Sequence, residues 1–179
     1  MDTLWLEYYC HPDCEPLKNI MRLPRDEAFA LAKQLADAHP ETTAFYRFAD
    51  FANYYPRRLN TDRLLLEMFR KLGGKPQCEH PFSFVLGSSA YLHQWFGSGQ
   101  ILRIPLSAIE EDMISFTVGD SMSTLSREGA LQMFTLPMVK AAIRSHPEGA
   151  RGWLADTLQG HQYMEAQVWG DVALPQEAL

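Results

Sequence analysis

Glu165 is the carboxylate whose setting most suggests chemistry. It stands in Tyr163-Met164-Glu165-Ala166-Gln167-Val168-Trp169, a stretch stopped by Gly170-Asp171. Read as a strand, this stretch turns Met164, Ala166 and Val168 to one face and Tyr163, Glu165, Gln167 and Trp169 to the other. A lone carboxylate among hydrogen-bonding and aromatic side chains suits a pocket wall, where its neighbours tune it as a base or charge stabiliser. The structural alternative is a solvated face on an edge strand. The opening stretch repeats the pattern, with Leu4, Leu6 and Tyr8 against Trp5, Glu7 and Tyr9, and His11 if the strand runs on. The expected ligand site is a cleft between these two strands, lined by His11 and Glu165, with Glu7 a second candidate acid. Polar groups on a sheet face are costly to bury unless partners or a ligand meet them.

Three further constellations carry reactive residue types. The run Phe45-Tyr46-Arg47-Phe48, Phe51, Tyr54-Tyr55-Pro56-Arg57-Arg58 mixes aromatics with arginines, as a surface that stacks bases and pairs phosphates does. Phe45 and Phe48 read more naturally as core, and Tyr54, Arg57 and Arg58 as loop residues that meet a nucleotide. Cys10, Cys14, Cys78 and His80 have the donor types of a zinc site, with His11 adjacent. Cys78-x-His80 is tighter than a zinc knuckle and Cys10 falls inside a strand, so no bound metal is expected. Ser115 and Thr117 share a polar strand face and lead to Gly119-Asp120-Ser121, which reads as a half-exposed strand and turn. His93 reads as a surface residue. Ser88 and Ser123 lack any nucleophile-elbow motif, and Gly97-Ser98-Gly99 is too short for a phosphate loop.

The elements that must position these residues follow from periodicity and breakers. Strands are expected over residues 3–9 and 162–169 in one sheet, and over Thr42–Phe48, Phe82–Leu86, Ile101–Leu106 and Met113–Val118. Asp13 should cap a short helix with Leu17, Ile20 and Met21 on its apolar side. Pro24 starts a longer helix that Pro40 stops, and Asn60 caps a helix over Thr61–Leu72 that ends at Gly73-Gly74. Ser88 or Ser89 caps a helix through Trp95. Residues 107–111 read as a turn, and Ser126 to Leu158 reads as helix broken by Gly129, Pro137, Pro147 and Gly149. Short strands mixed with helices and closing on a strand give an α+β class: one domain over residues 1–179 with a mixed or split sheet of five to six strands.

With 179 residues, 46% of them hydrophobic and 12% aromatic, the chain can bury a full core. Its 16 Lys and Arg against 22 Asp and Glu give a net charge of −6, which argues against long nucleic acid as a partner. No apolar run reaches the roughly 18 residues of a membrane span. The opening residues show no secretory signal, and three cysteines do not make a disulfide framework, so a reduced, cytoplasmic protein is expected.

The two ends of the chain together resemble the outline of the ADP-ribosyltransferase fold. Tyr8-Tyr9-Cys10-His11 closes a first strand that leads into Glu15–Met21, and Tyr163–Gly170 supplies a late strand with an acid. The resemblance implies NAD as substrate, bound in a cleft of a split sheet, with no further cofactor required. His11 would then hold the nicotinamide ribose, Glu165 would promote transfer of ADP-ribose to a macromolecular or small acceptor, and Tyr91 or Ser115 would fill the middle position of the signature. Tyr9 or Tyr54 would stack on nicotinamide, and Arg57 or Arg58 would pair with the pyrophosphate. The chain departs from the family where Pro12 follows the histidine and where the acid occurs as Glu-x-Gln. The competing class is a non-catalytic regulatory or interaction domain, such as a bacterial mobile element would carry, whose aromatic face binds a protein partner.

Overall fold

A computed structural model describes residues 4–173. Six strands form one sheet: β1 (Trp5–Cys10), β2 (Phe82–Leu86), β3 (Gln100–Pro105), β4 (Ile114–Val118), β5 (Met133–Thr135) and β6 (Met164–Val168), in the order β3-β1-β2-β6-β4-β5. The fold is α+β, as its alternating short strands and helices imply. The first and last strands lie in the same sheet, separated by β2 alone. Thr3, assigned to the first strand from sequence, lies outside the described residues. Where a mixed or split sheet was expected, every pairing between these strands is antiparallel and the order is continuous.

Strand alternation divides the sheet into two unlike faces. Leu6, Phe84, Phe116, Ala166 and Val168 lie on the first, packed under helices α5 (Leu136–Ser145) and α6 (Gly149–Leu158) through Leu136, Val139 and Trp153. The second face carries polar groups in register. Arg103, Glu7, Val85, Glu165, Thr117 and Met133 follow one another across the six strands as a single row. Glu7 and Glu165 are therefore two strand spacings apart, roughly 10 Å.

Helix α2 (Phe51–Lys71) covers this second face with a stripe that changes character along its length. Its buried positions Arg58, Thr61 and Asp62 are polar, while Leu65, Leu66 and Phe69 are apolar. The apolar end seals the sheet by stacking Phe69 on Trp169 at 5.9 Å. The polar end lies over Glu165's half of the face.

Several sequence expectations are corrected here. Thr43–Phe48 is a 3-10 helix rather than a strand. Phe45, Phe48 and Phe51 recur every three residues, the period of that helix, and their rings form one packed column at 5.7 and 5.5 Å. The helix expected from Asn60 begins at Phe51 and runs through Pro56. Pro56 forfeits one backbone hydrogen bond, which the packing of Phe51 and Tyr55 on Phe29 of α1 (Arg25–Ala38) offsets. In place of a helix capped by Asp13 there is only a 3-10 turn, Ile20–Arg22, capped by the Asn19 side chain. In the region read as broken helix, α4 (Ser121–Glu128) ends at Gly129 with φ of 71°, strand β5 is present, and Pro137 opens α5 instead of interrupting it. Helix α3 (Ala90–Trp95) starts at a Ser89 cap, as expected.

Candidate functional site

A cavity of about 820 Å³ opens beside the second sheet face, with Tyr9, Ser83, Val85 and Glu165 on its sheet wall. The Thr43–Phe48 helix, α2 and α3 contribute Phe45, Arg47, Tyr54, Arg58 and Trp95, and Asp120 enters from the start of α4.

Glu165 is 2% exposed. Its Oε2 accepts the Ser121 backbone N–H at 2.7 Å, and its Oε1 accepts the hydroxyls of Ser83 and Ser121 at 3.1 and 3.2 Å. Burial, and then the neighbouring Asp120 charge, raise its pKa above the ordinary carboxylate value, with Arg58 opposing. Asp120 goes the other way. Burial acts to raise its pKa, but Arg47, the Ser123 N–H and Arg58 outweigh that and hold it below the ordinary value. The two acids are thus shifted in opposite directions. Tyr163 donates to Asp120 Oδ2 at 3.4 Å and stays protonated because burial and the Asp120 charge raise its pKa.

The cations are held differently. Arg58 pairs with Asp62 at 2.6 Å, and the other Asp62 oxygen meets His80 Nδ1 at 2.8 Å, so a buried carboxylate anchors the guanidinium from behind. Arg47 lies over the rings of Tyr54 and Trp95, 5.4 Å from each centroid. The buried indole N–H of Trp95 has no acceptor among the described residues.

Of the residues singled out from sequence, His11, Glu165, Tyr9, Tyr54 and Arg58 line this one cavity. Tyr9 offers only its ring, because its hydroxyl donates to Glu7 and accepts the Ser89 N–H; burial and the Glu7 bond push its pKa up to about 12. Glu7 does not line the cavity. It is occupied by Tyr9, Ser88 and Arg103, whose bonds outweigh its burial and lower its pKa. Arg57 is exposed on the outer side of α2, and Tyr91 is exposed and packed on Trp95. Ser115 is fully buried between Gln167 and the Trp169 indole, at 2.8 Å from each. These three stand outside the cavity lining.

The cysteines do not converge with His80. Cys10 Sγ faces the Cys14 carbonyl, Cys78 Sγ accepts from Arg22 at 3.2 Å, and His80 is taken by Asp62. Burial raises the pKa of all three thiols. His93, expected at the surface, is half-buried and hydrogen-bonds the Gly99 carbonyl at 3.1 Å. That bond ties α3 to the Gly97–Gly99 loop, which packs on the end of β1. A Cβ on Gly99 would stand 2.2 Å from the Cys10 carbonyl oxygen, so only glycine lets the loop approach His11 this closely.

Sequence reasoning missed the role of Asp120 and the Asp62–His80 anchor, and it placed Arg47 in the aromatic–arginine run without naming it among the site residues. The one local signal for Asp120 is Asp-x-x-Ser after Gly119, a helix start, and its side chain does cap Ser123 N–H at 2.7 Å. No family model matches this chain, and neither the curated proteins nor the solved structures contain a match to it.

Proposed function

We propose that the cavity binds a nucleotide with a labile N-glycosidic bond, NAD being the leading substrate, and transfers its ADP-ribose to an acceptor. The supporting observation is that one cavity joins a carboxylate pair of opposed pKa shifts, Asp120 and Glu165, to two arginines and an aromatic wall. Paired acids pushed apart in this way mark acid and base roles, the arginines suit a pyrophosphate, and the rings of Tyr9, Tyr54 and Trp95 suit planar bases.

The chemistry balances on these groups. The bond between ribose C1′ and the pyridinium nitrogen breaks, and its electron pair leaves with nicotinamide. The ribose becomes an oxocarbenium ion, and the negative charge of the Asp120–Glu165 pair stabilises that cation. An acceptor then bonds C1′ and gives up its proton to Glu165, the carboxylate of the pair with the raised pKa. His11 Nε2 remains available to the ribose, because His11 Nδ1 accepts the Asp13 N–H. The competing reading, an aromatic docking face, is less well supported, since Phe45, Phe48 and Tyr54 turn into the cavity.

The test follows nicotinamide release from NAD by chromatography, beside thermal shift with NAD. Stabilisation by NAD with release that Glu165→Gln abolishes supports the reading. A native protein that NAD neither stabilises nor loses nicotinamide to overturns it.

A further inference from the structure

A separate cluster lies where β1 ends. His11 stands just past the strand, Asp13 follows in the turn made by Cys14 N–H on the His11 carbonyl at 3.0 Å, and His39 stands just past α1. The two imidazole rings meet with centroids 4.3 Å apart. Asp13 Oδ2 is 4.0 Å from His11 Nδ1 and 3.8 Å from His39 Nε2, and one donor atom from each residue lies within 4.8 Å of the others. Among the described residues this is the one group of three His, Cys, Asp or Glu side chains with donors so close.

We propose that His11, Asp13 and His39 bind a divalent transition cation of the zinc class. Two imidazoles and one carboxylate form a borderline donor set that suits zinc and its neighbours over calcium or magnesium. A tetrahedral ion with bonds of about 2.0–2.1 Å holds its ligands roughly 3.4 Å apart. The two Asp13 spacings must close by only about half an ångström, and the Asp13 side chain, 69% exposed, is free to make that move. The histidine donors lie within 4.8 Å of each other, and binding would draw them together as well. Their side chains are 11% and 21% exposed, and Phe45 packs on both rings at 5.3 and 5.6 Å. The Asp13 N–H donates to His11 Nδ1 at 3.2 Å, which leaves the lone pair on the nitrogen that faces Asp13 Oδ2. A cation would take over that lone pair.

Three protein ligands leave a fourth position, the pattern of sites that bind a further ligand. His11 and Asp13 both line the cavity, so the open position faces it and would accept an anionic oxygen of its occupant. The cation site stands on its own donors and does not depend on the nucleotide reading; each is tested without the other's ligand.

The experiment titrates chelator-treated full-length protein with ZnCl2 by calorimetry, without nucleotide. Native protein should bind one equivalent, and Asp13→Asn and His39→Ala should each weaken it tenfold or more. Asp13→Asn changes an exposed side chain and keeps the test valid if His39→Ala fails to fold. Cys78→Ser should bind as native does. No binding by native protein overturns the proposal. Binding that survives in Asp13→Asn and His39→Ala but disappears in Cys78→Ser also overturns it.

Discussion

Asp120 and Glu165 meet at the start of one helix: Asp120 caps Ser123 N–H of α4, and Glu165, from the neighbouring strand, accepts Ser121 N–H. A helix start favours negative charge, and two carboxylates drawn to it oppose one another. Arg47 and Arg58 hold the Asp120 pKa down, while burial and the Asp120 charge raise that of Glu165.

The first prediction concerns pH. With a folded pKa above its unfolded one, Glu165 contributes stability that is complete below the unfolded carboxylate pKa, about 4.3, and is lost as pH rises through the folded value. Asp120 has the opposite sign: its contribution is present above its unfolded pKa and is lost as pH falls through the depressed folded one. Glu165→Gln cannot lose a proton, so its Tm relative to native should climb as pH rises above about 5. Asp120→Asn should lose ground over the interval around pH 4. Melting curves across pH 3–8 decide, and parallel profiles for all three proteins would contradict the assignment.

Asp62 anchors Arg58, and removing it strands a buried guanidinium. Asp62→Ala should cost about 3–5 kcal/mol, read as a lower urea midpoint with an unchanged m-value. A loss under about 1 kcal/mol, the range of an exposed pair, would show that Arg58 finds water instead.

Arg47 is held by stacking on Tyr54 and Trp95. Its replacement by alanine should weaken NAD binding about 10- to 100-fold, the worth of a charged hydrogen bond, with little change in Tm. Arg47→Lys should restore only part of this, since an ammonium lacks the flat guanidinium that stacks between two rings. Equal affinity in Arg47→Ala and native protein would remove Arg47 from the site.

Gly99→Ala drives a methyl against the Cys10 carbonyl. Backbone must yield, at a cost of about 1–3 kcal/mol, and the end of β1 that carries His11 must shift. Both a lower Tm and weaker zinc binding are expected. A variant with native values in both would show that the loop gives way outward and leaves His11 alone.

Strand alternation made β1 and β6 legible, because each pairs a wholly apolar face with a polar one, a pattern that needs no knowledge of neighbours. The same rule misread residues 42–48, where Thr43, Phe45 and Arg47 alternate with Ala44, Tyr46 and Phe48, although the aromatics that pack together recur every three residues. The start of α2 was hidden because Pro56 and Asn60 imitate a helix boundary, and only the rings of α1 and the 3-10 helix override it. Glu165, His11, Tyr9, Tyr54 and Arg58 could be picked out locally. Asp120 could not: it gains its meaning from Glu165 of another element, 45 positions further on.

The sheet order has a consequence for how the molecule comes into being. Among the described residues β6 is the last strand in chain order and the only link between the ladder β3-β1-β2 and the ladder β4-β5. Until residues 164–168 leave the ribosome, the nascent chain holds two half-sheets, each with a raw edge exposed to other chains. The strand that closes both edges is also the one that brings Glu165, so closure of the sheet and completion of the acid pair arrive in a single event. A chain interrupted before that point would lack that pair and be prone to stick to its own kind.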